Sequence, residues 1–363
     1  MLKENQKYLL ALNRHNALGP RRLIELKKQL GSWERVWQAR EGELRKRVNG
    51  DTTDAVLEVR SKFDPDNEVR IADQVGFQVF EFGDKDYPQS LTTMSDPPAL
   101  LYVKGTLESL VNICVAVVGS RRATQYGYQV TDAIFRPLGK YNITIVSGLA
   151  LGIDTAAHKA AVEGGGKTVG VLACGLDQVY PASNKQLAQK ILDLGGALIS
   201  EYAPGLPSYR SNFPVRNRII AALAQLTVVV EALPDSGALI TAKAALEYNR
   251  EVGAVPGDIN RPQAQGPLNL IKMGAVPICS ADDVIEALGL EKGIVDENVD
   301  NINLAQLTSD EKLIIEKLSR EPVHIDKLSK EATLDIAAVN SALVMLELKG
   351  LVKNLGGNQF VRK

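Results

Sequence analysis

Three cysteines, three histidines and two tryptophans are all that a chain of 363 residues holds of those types, and aromatics make up only 5% of it. Cys114, Cys174 and Cys279 each stand in or at the end of an apolar, strand-like run, so they read as small core residues rather than catalytic or metal-binding thiols. The histidines show no metal-like spacing, which argues against a zinc site. Apolar runs stay far below the roughly 18 residues a membrane span needs, and residues 1–10 are polar, so neither a span nor a signal peptide is expected. Charge is balanced as well: 42 Lys and Arg face 43 Asp and Glu, a net charge of −1. Any case for nucleic acid must therefore come from local clusters.

What is present is ample apolar content, 45%, and a length that suggests two or three domains. The chain is organised around residues 114–160. Cys114 to Val118 is a continuous apolar run rich in β-branched residues, as in a strand covered on both faces of a parallel sheet, and it stops at Gly119-Ser120-Arg121. Thr144 to Ser147 repeats the pattern, and Ser147-Gly148 with Gly152-Ile153-Asp154 opens a helix through His158. Parallel sheets place ligands at the carboxyl ends of their strands. Two glycine-rich turns there offer backbone N–H groups and helix N-termini, which favour phosphate.

Further strands are predicted at 168–173, 197–200, 227–231, 251–255 and 276–279, separated by helix-length segments. Seven apolar strands with helical crossovers predict a doubly wound, mostly parallel α/β sheet over residues 76–290. Residues 99–103 read as another strand, an added edge. Ahead of the sheet, residues 1–75 read as a helical module, in which Gly19-Pro20 opens an amphipathic helix that Gly31-Ser32 ends, as in helix-hairpin-helix or sterile-alpha-motif-like units. Between Arg14 and Arg47 ten Lys/Arg face four Asp/Glu, either a solvated face or a phosphate-seeking one. Residues 291–306 read as an acidic linker. Residues 307–363 carry three helices and a hairpin, the pattern of a winged helix-turn-helix. Its presumed recognition helix has only Lys349 as a positive charge, which suits a protein contact or weak DNA contact better than major-groove reading.

Three clusters carry binding chemistry. In Gly119-Ser120-Arg121 the glycine admits a close phosphate, the hydroxyl donates, and the guanidinium is a forked donor. In the predicted loop 207–218, Arg210, Arg216 and Arg218 are phosphate candidates and Phe213 a stacking platform for a base, although at least one of Arg216 and Arg218 is open to being a buried structural arginine. Asn217 reads as a helix cap or a polar contact. In residues 231–243, Ser236-Gly237 opens a further helix that carries Lys243, either a groove charge or a solvent-facing lysine. Asp154, Asp177 and Glu231 form a possible acid/base set, but an aspartate at a helix start is more often a cap. Neither turn reads G-x-G-x-x-G and no Walker A lysine occurs, so no nucleotide cofactor is expected.

The segments GSRRATQYG, SGLALGIDTAAH, CGLDQVYP, FPVRNRIIAAL, SGALITAKAALE and GPLNLIKMGA occur in the order found in the DNA-processing protein A family, also called Smf. The chain resembles that family over roughly residues 80–288, with looser agreement in the flanks. The resemblance implies a Rossmann-like sheet domain, and a cytoplasmic homodimer that binds single-stranded DNA, protects it during natural transformation and loads the recombinase RecA, with no catalytic activity, metal or cofactor. Carried over position by position, the family's DNA groove falls on Gly119, Ser120, Arg121, Arg210, Phe213 and Lys243; Ser147, Gly148, Arg216 and Asn217 join them from the reading of the residues. Ala173 departs from the family, where a glycine is common. A nucleotide-binding or nucleotide-hydrolysing enzyme of a related fold is the alternative.

Overall fold

In the computed structural model the described residues are 3, 5–290, 307–318, 322–348 and 351–362. The predicted acidic linker and Lys349 lie outside them. Two compact units emerge, one within Met1–Lys292 and one within Gly293–Lys363.

The first unit is built on nine strands: β1 (Gln78–Glu81), β2 (Leu100–Gly105), β3 (Cys114–Val118), β4 (Thr144–Ser147), β5 (Thr168–Val171), β6 (Ala197–Ser200), β7 (Leu226–Val229), β8 (Glu251–Ala254) and β9 (Val276–Pro277). They lie in the order β1-β2-β6-β5-β4-β3-β7-β8-β9. Every residue of β3 to β7 is buried, as expected of strands with helices on both faces. The seven strands from β3 onward pair in parallel, which bears out the doubly wound sheet. From β3 the chain steps outward to β4, β5 and β6, then returns to place β7 on the other side of β3. Helices on either side of that reversal diverge and leave a crevice at the carboxyl ends of β3, β4 and β7.

Two sequence expectations need correction. The strand after the double proline is interior, pairing antiparallel with both β1 and β6, and β1 is the edge. The reason is β1, which pairs along the side of β2 away from β6, while the N-terminal helices pack on this end of the sheet. Leu9, Leu12, Leu23 and Leu26 share one apolar cluster with Tyr102, Cys174 and Leu198. Tyr102 is 1% exposed, meets Phe77 edge-on at 5.1 Å between centroids and accepts a hydrogen bond from Asn13 Nδ2 at 3.3 Å. The helix Pro20–Leu30 begins and ends as the sequence suggested, with proline in its first turn and Gly31 at φ 86° after its last. The second correction concerns Cys279, which is exposed while Cys114 and Cys174 are buried. It follows the two-residue strand β9 at the outer edge of the sheet, where no further strand covers it.

In the second unit the helices Ser309–Lys317, Ile325–Ala332 and Ile336–Leu348 pack around Ile314, Leu328, Leu343 and Leu346. Val323–His324, Val352–Gly356 and Gln359–Arg362 close a three-stranded sheet, completing a winged helix. Thr308 and Glu311 cap its first helix reciprocally. The exposed positions of the helix Ile336–Leu348 mix Ile336, Val344 and Met345 with Asn340, Ser341 and Glu347 and include no basic residue to meet a phosphate.

Candidate nucleic-acid interface

Glycines let the turns after β3 and β4 touch. A side chain at Gly119 would stand 2.6 Å from Ile153 and 2.9 Å from the Glu231 carbonyl oxygen. Gly152 sits at φ 80°, and a Cβ there would meet the Ser120 carbonyl oxygen at 2.1 Å. The approach is fixed by Ser120 N donating to Glu231 O at 2.6 Å and Ile153 N donating to Ser120 O at 3.2 Å. The Ser120 hydroxyl accepts from Arg122 N at 3.1 Å, which tightens the turn and leaves Arg121 and Arg122 exposed.

Facing this turn is the helix Asn212–Leu223. The sequence placed Phe213 in a loop and started the helix at 217. The helix begins five residues earlier because Asn212 Nδ2 reaches the Ala173 carbonyl at 3.1 Å and anchors the first turn to the chain beyond β5. Phe213 is thereby held on a helix, half-buried at the rim of a cleft of about 280 Å³ lined by Gly119, Arg121, Arg210, Phe213, Arg216 and Asn217, among others. The Arg121 guanidinium lies 4.3 Å from the centre of the Phe213 ring, and Tyr180 meets the ring edge-on at 5.8 Å. Arg121 and Arg210 are both exposed, and neither has an ion pair among the described residues. The cleft thus offers two exposed guanidinium groups without an ion pair among the described residues and one aromatic ring, at the point where strand order reverses.

The floor of the cleft is structural. Arg216 is 3% exposed; its Nη1 donates to Gly148 O at 2.6 Å and to Val171 O. Asp154, also buried, accepts from Gly148 N at 3.1 Å and Ala150 N at 3.4 Å. Burial pushes the Asp154 carboxyl up, against the pull of the Arg216 charge, and pushes Arg216 down to about 10, so the arginine stays charged at neutral pH. A Cβ at Gly148 would collide with Arg216 at 2.4 Å and with Asp154 at 2.6 Å, which explains the glycine. Ser147 is fully buried, its hydroxyl donating to Val117 O at 2.6 Å.

Several candidates therefore change role. Ser147, Gly148 and Arg216 build and brace the wall: the Ser147 hydroxyl, the Gly148 backbone and Arg216 Nε and Nη1 are all bonded within the protein. Arg218 is buried on Glu201 and lies 3.4 Å from Asp96. Asn217 is interior to the helix; its Nδ2 donates to Gly237 O at 3.1 Å, tying this helix to the start of the helix Gly237–Glu247. Lys243 stands outside the lining, its side chain 79% exposed and 3.9 Å from Glu247. The possible acid/base set is dispersed into turn-holding contacts: Glu231 accepts from Thr124 N at 2.9 Å and from its hydroxyl, and Asp177 accepts from Gly205 N at 2.9 Å. Tyr180 was missed as a site residue; its only signal was its place in the CGLDQVYP segment. Among the described residues no cluster of His, Cys, Asp or Glu could hold a metal, and no helix is long and apolar enough to cross a membrane.

Residues 78–289 match the family described as DNA recombination-mediator protein A. The chain belongs to that family. Residues 303–358 match the winged helix domain of the same family. Protein Smf of Synechocystis is 34% identical over 100% of both chains. The DNA processing protein DprA of Streptococcus pneumoniae is 43% identical over 58% of this chain and 73% of its own length. The X-ray structure of DprA from S. pneumoniae superposes with a TM-score of 0.69 at 34% identity, over 78% of this chain and 98% of that one. DNA processing protein A from Helicobacter pylori, solved for its single-stranded DNA binding mode, superposes with a TM-score of 0.53 at 30% identity, over 59% of this chain and 97% of that one.

Proposed function

We propose that the chain is a DNA-processing protein that binds single-stranded DNA in the cleft at the strand-order reversal, without sequence preference. The observation that carries this reading is the convergence of Arg121, Arg210 and Phe213 on one rim. Guanidinium groups without acidic partners are matched to phosphates, and an aromatic ring beside them is matched to any base, since every base has a stacking face. Asn217, an amide able to read base edges, is already bonded to Gly237. The H. pylori relative, similar over 59% of this chain, supports the choice of a single strand.

Membership of the family extends the proposal: the bound strand is shielded during natural transformation and handed to RecA by a cytoplasmic homodimer. A competition assay tests the binding step. Single strands of unrelated sequence should compete within about tenfold of one another and duplex of the same length far less well; a duplex that competes equally contradicts the proposal. Nuclease digestion of a bound strand, and RecA filament formation on strands coated with single-strand binding protein, test the later steps. Sites on nucleoside phosphates occupy the same crevice in related sheets, but here the three candidate acids of the enzymatic alternative, Asp154, Asp177 and Glu231, each hold a turn.

A further inference from the structure

The segment 209–217 is a ridge with a cleft on each side. Arg210, Phe213 and Asn217 face the cleft described above, whereas Tyr209, Asn212 and Val215 line a second cleft of about 500 Å³. Its opposite wall is the N-terminal helical region, at Asn13, Asn16 and Gly19-Pro20. Tyr209 is 54% exposed, and its side chain has no hydrogen bond or ring partner among the described residues. Gly19 and Pro20 open the helix Pro20–Leu30, whose first turn has no side-chain cap, and Arg21, next in line, is exposed without an ion pair among the described residues. Glu201 also lines this cleft, and its Oε1 is buried without a hydrogen-bond partner among the described residues.

These groups fit one nucleotide. A bare phenol ring suits a base face, the uncapped helix start at Gly19-Pro20 suits a phosphate, and a buried acceptor with no donor suits the amino group of a base. We propose that the second cleft is a further nucleotide subsite, filled by the same DNA strand after it crosses the 209–217 ridge, so that the N-terminal helices and the sheet grip one strand between them. The inference rests on the first cleft being the DNA site. It gives the N-terminal helices a part in binding, through contacts that a strand too short to cross the ridge never makes.

Oligo-dC, whose bases carry the amino group, tests it at lengths of about four and about twelve nucleotides, which bracket a short and a long site. Tyr209→Ala should weaken binding of the longer strand about tenfold and change the shorter within twofold, and Tyr209→Phe should bind both like the wild type. Arg121→Ala should weaken both lengths. If Tyr209→Ala matches the wild type at both lengths, or weakens both equally, while Arg121→Ala weakens both, the second subsite is wrong and the first stands. If Arg121→Ala matches the wild type at both lengths, the first reading fails with it.

Discussion

The guanidinium of Arg121 rests 4.3 Å from the centre of the Phe213 ring, joining the turn after β3 to the first turn of the helix Asn212–Leu223. The contact contributes on the order of 0.5–1 kcal/mol at an exposed site, enough to hold both groups at the rim before DNA arrives. On the proposed reading one nucleotide meets both, its phosphate at the arginine and its base at the ring.

Removing the ring isolates the stacking contribution. Phe213→Ala is expected to lose about 1–3 kcal/mol of affinity for single-stranded DNA, roughly 5- to 150-fold, while Phe213→Trp keeps most of it. Fluorescence anisotropy with a labelled oligonucleotide measures both variants. Equal binding by Phe213→Ala and the wild type removes the ring from the site.

Arg216 should behave in the opposite way. Arg216→Ala leaves Asp154 buried without its compensating charge and strips donors from the Gly148 and Val171 carbonyls. A loss of about 3–5 kcal/mol of folding stability is expected, read from urea denaturation. Arg121→Ala, at an exposed position, should stay within about 1 kcal/mol of the wild type. A stable Arg216→Ala protein that merely binds DNA poorly would return Arg216 to the ligand side of the cleft.

Lys243 offers a control. Its charge projects into solvent beside Glu247 and outside the cleft lining, so Lys243→Ala should change affinity by no more than about threefold in moderate salt. A loss as large as that of Arg121→Ala would put the DNA path across the helix Gly237–Glu247.

Acid stability reports on the wall of the cleft. Burial, reinforced by the Arg216 charge, holds the His158 imidazole down at about 3 from its ordinary 6.5. The unfolded chain protonates this histidine first, so its contribution is full above pH 6.5 and is lost as pH falls toward 3, at up to about 1.4 kcal/mol per pH unit. Asp154 and Glu201, raised by burial, act in the opposite direction at the acid end. The difference between wild type and His158→Gln across pH 4–7 isolates the histidine: the variant should lose less stability on acidification. Parallel curves would contradict the assignment.

The sheet was legible because seven short apolar runs, separated mostly by helix-length segments, leave little choice of architecture. The rim was legible for a related reason: Gly119-Ser120-Arg121 stands at a strand end, and such ends gather in a parallel sheet. Burial inside the cleft was not. Arg216 and Arg218 look alike beside Arg210, and what separates them is Asp154, Gly148 and Glu201, brought in by strand order. The helix start at Asn212 was hidden in the same way, since its anchor is a carbonyl on another strand's exit. The interior position of β2 depends on its pairing with both β1 and β6, and local periodicity carries no such information.

The most direct test of the account is a salt titration of affinity for a mixed-sequence oligonucleotide, single- against double-stranded, on wild type and Arg121→Ala. The wild type should prefer the single strand and weaken steeply with salt, and Arg121→Ala should bind more weakly with a slope shallower by about 0.7, the loss of one phosphate contact on a single strand. Binding that ignores salt, or a variant with unchanged affinity and slope, would contradict it.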